Sequence, residues 1–99
     1  MRIIALATLK TFWKSPAHRD AKEPLLAWYR YTLRAEWSSP ADVKRDFGSA
    51  SILKDGRVVF NIAGNKYRLV VWINFQYHIV YIRFVGTHAG YDGIDAQTI

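Results

Sequence analysis

The sequence predicts an α+β fold, a mostly antiparallel sheet with two to three helices packed on one of its faces. Apolar residues recur at helical spacing in the first half of the chain, and the period changes to two after residue 50. Asp55-Gly56 stands between two of the later apolar runs, and such a pair is the strongest short signal for a β-hairpin. Because the helices precede the strands instead of alternating with them, α+β is favoured over a parallel α/β sheet.

The chain is expected to open with a short strand, residues 2–5, and a short helix. Thr8 is the expected N-cap of this helix, which ends before Ser15-Pro16 because the residue before proline avoids the α region. A second helix is predicted near Lys22–Ala35, where apolar residues recur at helical spacing and arginines lie on another side. Pro24 is tolerated only in a first turn, so this helix begins close to it.

A start-and-stop signal in "SSPADVKRDFG" predicts a third, short helix. Ser39 is the expected N-cap, Pro40 takes the first helical position, and Asp42 reaches back as in a capping box. Gly48 then ends the helix. The aromatic residues of the first two helices are assigned to the core: Phe12, Trp13, Trp28 and Tyr29.

The second half of the chain is expected to contain four strands joined by turns. Asp55-Gly56 predicts a two-residue hairpin between "ASILK" and "RVVFNI". "AGN" at residues 63–65 marks the next turn, and a weaker turn falls near Phe75–Tyr77. The predicted order is therefore β-α-α-(short α)-β-β-β-β within a single domain, residues 1–99.

Two assumed pairings, Asn61 with Lys66 and Asn74 with Tyr77, divide the side chains of these strands between two faces. In this register Arg68 lies directly opposite Arg83, whereas a slip of one residue would place Arg83 in the apolar layer. The uncharged face is the expected core against the helices: Val58, Phe60, Ile62, Tyr67, Leu69, Val71, Ile73, Val80, Ile82 and Phe84. The other face is expected to be open: Arg57, Val59, Asn61, Lys66, Arg68, Val70, Trp72, Tyr81, Arg83 and Val85.

Composition and charge narrow the function classes. Fourteen Lys and Arg against eight Asp and Glu give a net charge of +6, and residues 56–86 contain no acid. This balance suits nucleic acid, although many proteins simply have a basic surface. The absence of cysteine excludes disulfides and thiolate metal sites and fits a reducing cytosol. Because the start lacks a signal-peptide core and no apolar run reaches a membrane span, we expect a cytoplasmic protein without membrane contact.

The facing arginines admit two interpretations. Like charges opposite each other repel, so both guanidinium groups can turn apart into water over Trp72 or Tyr81. Alternatively, they share an anion such as a phosphate, which the planar guanidinium fork matches well, and we favour this interpretation. Aromatic side chains on the same face suit stacking on unpaired bases.

His88 and Tyr91 follow the last strand and are expected at the rim of the same face. Histidine is the usual general acid or base and tyrosine can donate a proton, but a lone His-x-x-Tyr pattern is more often a structural pair. No spaced set of histidines and carboxylates predicts a metal site, and no glycine-rich phosphate loop is present. We therefore expect neither a metal nor a cofactor.

Two stretches, "VVFNIAGNKYRLVVWINF" and "VYIRFVGTHAGYDGIDAQTI", resemble the HigB-type toxins of bacterial toxin–antitoxin modules, in the RelE-like superfamily. The combination F-N-I-x-G-N-x-Y-R with T-H-x-x-Y-D is the specific part, and "AKEPLLAWYR" and "WSSPADVKRDFGSA" fit the same pattern. The resemblance implies a RelE-like fold and an mRNA interferase that cuts mRNA on the translating ribosome. It also implies a cognate, HigA-like helix-turn-helix antitoxin. The toxin would contact promoter DNA only through this antitoxin.

Site residues follow from the resemblance position by position. The motif positions are Asn61, Asn65, Arg68, His88, Tyr91 and Asp92, with Arg83 on the adjoining strand. Gly90 and Gly93 depart from the more polar, helix-prone segment expected there, which predicts a loosely fixed Tyr91. Asn65 has an alternative interpretation as a turn residue with positive φ.

The chemistry can be stated independently of the resemblance. A ribonuclease without metal uses the 2′-hydroxyl of the RNA as nucleophile, so it needs a base, an acid and cations for the phosphoryl oxygens. The expected catalytic residues are Arg68, Arg83, His88 and Tyr91. The expected RNA-binding residues are Arg57, Asn61, Asn65 and Lys66 and, from the resemblance, Asp92. The alternative function is a non-catalytic RNA-binding or interaction module that uses the same basic face.

Overall fold

The computed structural model describes all residues, 1–99, and confirms the α+β class. The first half contains β1 (Arg2–Ile4), α1 (Leu6–Lys14), a 3₁₀ segment (Pro16–Ala21), α2 (Lys22–Arg34) and α3 (Pro40–Asp46). The second half contains β2 (Ser51–Ile52), β3 (Arg57–Ile62), β4 (Tyr67–Asn74), β5 (Ile79–Thr87) and α4 (His88–Asp92). The five strands form one sheet in the order β1-β5-β4-β3-β2, in which β1 runs parallel to β5 and the other pairs are antiparallel.

The helix bounds agree with the predictions more closely than the caps do. The N-cap of α1 is Ala5 and not Thr8, because the chain leaves β1 in an extended conformation and turns directly into the helix. Ser39 is the N-cap of α3, as predicted, but its side chain makes no capping bond. The carboxylate of Asp42 instead accepts a hydrogen bond from the main-chain N–H of Ser38, at 2.8 Å. The capping box is therefore displaced by one residue.

The core lies between α1, α2 and α3 and one face of the sheet. Trp13 and Trp28 are buried there, and Phe12 and Tyr29 pack at its edge, so their assignment to the core is confirmed. Trp37 is also buried, with its ring stacked on that of Phe60 and its Nε1 donating to Asp46 at 3.0 Å. These large side chains remove much apolar area from water, which is the main favourable term in folding.

The first hairpin forms where Asp55-Gly56 predicts it. Asp55 and Gly56 have φ of 56° and 81°, as a turn of this kind requires. Ser51 pairs with Val59 and Ile52 with Val58, so the paired positions lie further from the turn than a two-residue loop would place them. At Gly56 a Cβ would lie 2.5 Å from the carbonyl oxygen of Ile73, which excludes a side chain there.

The β3–β4 and β4–β5 pairings differ from the predicted register by two residues. Asn61 pairs with Arg68 instead of Lys66, and Asn74 pairs with Ile79 instead of Tyr77. Because side chains alternate with a period of two, a shift of two residues leaves each one on its predicted face. The predicted division into faces is therefore preserved from β3 to the middle of β5.

A β-bulge at Arg83 reverses the faces beyond that point. Ile82 pairs with Val71 and Phe84 pairs with Val70, so Arg83 has no partner in the ladder. The extra residue inverts the alternation, as bulges do. The prediction that Arg68 lies opposite Arg83 is wrong, because Arg68 pairs with Gly86.

Because of this bulge, the predicted faces of two side chains are wrong. Phe84, predicted in the core, lies on the other face against Val59 and Val70, whereas Val85, predicted on the open face, packs against the core. A Cβ at Gly86 would lie 2.5 Å from the ring of Phe84, so the absence of a side chain there makes room for that ring.

The C-terminal segment, residues 93–99, covers the centre of the face that was predicted to be open. Ala96 is buried with Val59 and Val70, and further apolar residues surround this second, smaller cluster: Leu53, Phe84, Tyr91, Ile94 and Ile99. Gln97 holds the segment by exchanging two hydrogen bonds with the main chain of Lys54, at 2.9 and 2.8 Å. The open face is thus divided into two exposed ends.

No helix of the chain combines the length and the apolar character that a membrane span requires.

Candidate functional site

Arg68 stands at one of these exposed ends. Its Nη1 donates to the main-chain oxygen of Asn65 at 3.3 Å, and its guanidinium carbon lies 5.9 Å from the centre of the Tyr91 ring. That distance is within the range of a cation–π contact. The ion pairs of the structure do not include Arg68. Arg68 is therefore a half-buried cation held in place by neutral groups and available to an anion.

The short helix α4 carries the titratable residues and places Tyr91 beside Arg68. It begins directly after Thr87, whose Oγ1 accepts a hydrogen bond from the N–H of Gly90 at 3.0 Å. His88 and Asp92 lie one turn apart, with Nδ1 of the imidazole 3.3 Å from the carboxylate, and both side chains are exposed. Tyr91 is half-buried against the smaller cluster, so it is fixed on two sides in spite of the neighbouring glycines.

The two asparagines have different local roles. The side-chain amide of Asn61 donates to the main-chain oxygen of Ser49 at 3.3 Å, which ties the β3 strand to the loop before β2. The alternative of a positive φ at Asn65 is wrong, because Ala63 and Gly64 take the positive φ values in this turn. The side chain of Asn65 is exposed, and its main chain orients Arg68.

Six of the predicted site residues therefore gather at one end of the face. We refer to them as the Arg68 cluster: Asn61, Asn65, Arg68, His88, Tyr91 and Asp92. Asn61 and Arg68 are cross-strand partners, and α4 brings the other side chains from the end of β5, where Gly86 pairs with Arg68. An imidazole, a phenol and an unpaired guanidinium in one place can exchange protons and stabilise negative charge.

Arg83 and Arg57 lie at the other exposed end. Arg83 donates through Nε to the main-chain oxygen of Ile99 at 3.2 Å, and Nη1 of Arg57 donates to the same oxygen. Trp72 and Tyr81 stack beside them with ring centres 5.0 Å apart, on the face predicted for them. The structure therefore groups Arg83 with Arg57 and not with Arg68.

Lys66 is paired within the chain. Its ammonium group and the hydroxyl of Tyr67 both donate to the carboxylate of Asp20, which lies in the 3₁₀ segment. The hydrogen bonds from Lys66 and Tyr67 hold the pKa of Asp20 below its usual range, and Asp20 in turn raises the pKa of Lys66 and of Tyr67. This network holds the turn before β4, the strand that carries Arg68.

We expect the network to give Asp20→Asn a pH-dependent stability defect. A depressed carboxyl pKa contributes stability above the unfolded value of about 4, and this contribution is lost as the pH falls through the folded value. The melting temperature of Asp20→Asn should therefore lie below that of the wild type at about pH 6–7, and the gap should close below about pH 4. Thermal denaturation followed by circular dichroism measures it, and a gap that persists at low pH would contradict the assignment.

Sequence reasoning missed the C-terminal segment as a structural element. Its signal is the spacing of Ile94 and Ala96, apolar residues two apart that place both side chains towards the sheet. The bulge at Arg83 has no comparable signal in the sequence. The ion pair between Lys66 and Asp20 joins residues 46 positions apart, which local patterns do not reveal.

The largest cavity lies away from the Arg68 cluster. It is a groove of about 790 Å³ between α2 and α3, and its lining includes three arginines: Arg30, Arg34 and Arg45. No group of three or more His, Cys, Asp or Glu side chains is placed to hold a metal ion.

Comparison with known proteins agrees with these features. Residues 21–94 match a family model described as HigB_toxin, the RelE-like toxic component of a toxin–antitoxin system. The mRNA interferase toxin HigB of Escherichia coli K12 is 35% identical over 81 residues, which cover 80% of this chain and 75% of that protein. The mRNA interferases HigB of Escherichia coli O157:H7 and Shigella flexneri match to the same extent. With its α+β fold compatible with the RelE-like architecture, the chain belongs to the HigB family of toxins from toxin–antitoxin systems.

Proposed function

We propose that this protein is an endoribonuclease toxin that cleaves mRNA at the Arg68 cluster. The observation that carries the proposal is a guanidinium without an anionic partner, held against Tyr91 and next to the short helix that carries His88. The relatives named mRNA interferases support the choice of RNA as substrate. The net charge of +6 favours a polyanionic ligand in general.

The proposed reaction needs no metal. A base removes the proton of the 2′-hydroxyl, whose oxygen attacks the adjacent phosphorus and forms a 2′,3′-cyclic phosphate. The bond between phosphorus and the 5′-oxygen breaks, and an acid protonates the leaving oxygen. Negative charge grows on the phosphoryl oxygens during this exchange, and the planar fork of Arg68 is suited to stabilise it.

His88 and Tyr91 are the proposed acid and base. When Nδ1 of His88 donates to Asp92, Nε2 is left to exchange a proton with the RNA. Asp92 then acts by orienting the imidazole. Asn61 and Asn65 lie at the edge of the same cluster, where side-chain amides can bind phosphate or base.

Cleavage of a labelled mRNA by the purified protein tests the proposal. Discrete cuts are expected with translating ribosomes, and they should disappear in Arg68→Ala but remain in Arg34→Ala, which removes the same charge from α2. A 2′-deoxy nucleotide at the cut position should block cleavage, because the nucleophile is then missing. RNA binding without cuts would instead support the alternative, a non-catalytic RNA-binding or interaction module.

The proposed partner is a helix-turn-helix antitoxin of the HigA type, through which the complex meets promoter DNA. Three basic residues could contact acidic residues of the antitoxin: Arg30, Arg57 and Lys66. Lys66 is paired with Asp20, and Arg57 lies on the sheet face beside Arg83, whereas Arg30 lines the groove between α2 and α3 and its side chain makes no hydrogen bond within the chain. We therefore place the electrostatic part of the antitoxin contact on Arg30.

Antitoxin binding is expected to weaken as salt rises. Between about 0.1 M and 1 M salt the screening length falls from about 10 Å to about 3 Å, which removes most of the attraction between exposed charges. Isothermal titration calorimetry of Arg30→Ala should show a smaller salt dependence than the wild type, and Lys66→Ala should not. Affinity that does not change with salt would contradict this and indicate an apolar contact, for which Tyr31 and Leu33 are exposed.

A further inference from the structure

We infer that Arg57, Arg83 and the stacked Trp72–Tyr81 pair form a second nucleotide-binding subsite. It would take the phosphate and the base of an unpaired RNA residue a few nucleotides away from the cleavage position. The inference rests on the proposed function for its substrate and extends it by assigning the other exposed end of the sheet face.

Two guanidinium groups converge on one point at this end. Arg57 and Arg83 both donate to the main-chain oxygen of Ile99. The ion pairs of the structure include neither arginine, so no side-chain carboxylate neutralises the two charges. In this chain the last residue, Ile99, supplies the oxygen that lies between the two charges, and a phosphate, which offers several oxygens to both forks, would bind by displacing it. The oxygen of Ile99 marks the point where a phosphate oxygen would bind.

Arg83 projects to this point from the bulge in β5. Between Ile82 and Phe84, Arg83 has no partner in the ladder, and its exposed side chain extends towards Arg57. β-Bulges are common next to functional sites because they redirect a side chain. In a regular strand Ile82 and Phe84 would both lie on the face opposite to Arg83, whereas here they lie on different faces of the sheet.

The aromatic pair lies beside the arginines. Trp72 and Tyr81 are cross-strand partners with nearly parallel rings, at 22°, and both are half-buried. Trp72 is held by a hydrogen bond from Nε1 to the main-chain oxygen of Asp55 at 2.9 Å, and Arg57 is its partner on β3. A fixed aromatic surface next to a phosphate site is the arrangement by which single-stranded RNA is bound with its bases unpaired.

The distance to the Arg68 cluster suits one RNA strand. The pair Arg57–Trp72 and the pair Asn61–Arg68 lie four residues apart on the same two strands. At about 3.3 Å per residue the separation is about 13 Å. The C-terminal segment lies on the sheet between the two ends, with Ala96 over Val59 and Val70. An RNA strand that occupied both ends would pass along this segment and take the place of the Ile99 oxygen at the arginines.

Tryptophan fluorescence offers a direct test, because Trp72 is the one half-exposed tryptophan and the other three are at most 8% exposed. The probe is a single-stranded 2′-O-methyl oligonucleotide, which cannot be cleaved by 2′-hydroxyl attack. We expect it to quench the fluorescence of the wild type, and we expect the quenching to be abolished in Trp72→Phe. Binding of the labelled probe is followed separately by anisotropy.

The arginines are tested with a charge-matched control. Arg57→Ala/Arg83→Ala should weaken binding by about tenfold or more, and the salt slope should fall by about 0.7 for each phosphate that the variant no longer binds. Lys10→Ala/Arg34→Ala removes the same charge from exposed positions of α1 and α2 and should have a much smaller effect. Equal weakening in both double variants, or quenching that survives in Trp72→Phe, would overturn the subsite. If the double alanine variant does not fold, Arg83→Ala alone, at its exposed position, provides the same comparison against Arg34→Ala.

The result is separable from the proposed function because the probe undergoes no chemistry. Weakened binding in Arg57→Ala/Arg83→Ala together with full cleavage by Arg68→Ala would leave the subsite intact and refute the catalytic proposal. Unchanged binding in Arg57→Ala/Arg83→Ala together with lost cleavage in Arg68→Ala would refute the subsite alone.

Discussion

Replacing Arg68 by alanine is expected to lower the rate of RNA cleavage by about 100-fold or more, the scale on which removal of an oxyanion donor acts. The side chain is held in place by Asn65 and Tyr91 and has no carboxylate partner, so its charge is available to the phosphoryl oxygens. RNA affinity should fall much less, because one phosphate contact among several contributes only a share of a salt-dependent total. Single-turnover cleavage and equilibrium binding to an uncleavable RNA give the two quantities.

Arg68→Lys refines this result. A lysine keeps the charge but cannot reproduce the planar fork, so it should restore activity only in part. Arg34→Ala is the control for charge alone, since it lies exposed on α2 on the opposite side of the sheet. If Arg68→Ala lowers binding and cleavage by the same factor, Arg68 only holds the RNA and has no catalytic role.

Replacing His88 by alanine is expected to lower cleavage by about 100-fold or more and to remove one limb of the pH–rate profile. General acid–base catalysis contributes about 10²–10⁴-fold, and the limb reports the group whose proton moves. The profile of kcat/KM against pH measures both effects. Because the His88 side chain is exposed and does not pack in the core, the variant should fold as the wild type does.

Two neighbouring variants assign the roles within α4. Tyr91→Phe should remove the other limb if its hydroxyl is the second proton carrier. Asp92→Asn should leave the RNA affinity nearly unchanged and lower the rate, because a neutral amide oxygen accepts a weaker hydrogen bond from Nδ1 than a carboxylate does. An unchanged profile in His88→Ala would contradict the assignment and transfer its role to Tyr91 or to a proton carried by the substrate.

Local sequence patterns are sufficient to predict the helices and strands and the sheet face on which most side chains lie. Pro24 and Pro40 place the starts of α2 and α3 because proline is accepted only in a first turn. The alternation in β3 and β4 puts Phe60 in the core and Arg68 outside, and it does so for any register shifted by an even number of residues. The motif T-H-x-x-Y-D likewise singles out α4, although its helical conformation was not predicted.

Contacts between residues distant in sequence, and the features that depend on them, could not be predicted. Lys66 was predicted to bind RNA, but Asp20 from the 3₁₀ segment pairs with it. Thr8 has the side chain of a good cap, but the chain enters α1 earlier, after Ala5. In each case a tertiary contact or the path of the chain outweighs the local preference, because intrinsic propensities differ by only about 1 kcal/mol.

By itself the sequence determined the α+β class, the helices and most of the uncharged core face, because periodicity is a property of neighbouring residues, and the resemblance to a family singled out the residues of the Arg68 cluster. The tertiary structure alone decided that Arg83 leaves Arg68 and joins Arg57. The physical reasons are the two-residue shift of the β4–β5 register and one extra residue in β5, which inverts the alternation beyond it, together with a C-terminal segment that buries Val59 and Val70 on the second face. These features arise from pairing and packing between residues far apart in the chain, and they divide one predicted basic face into two exposed ends.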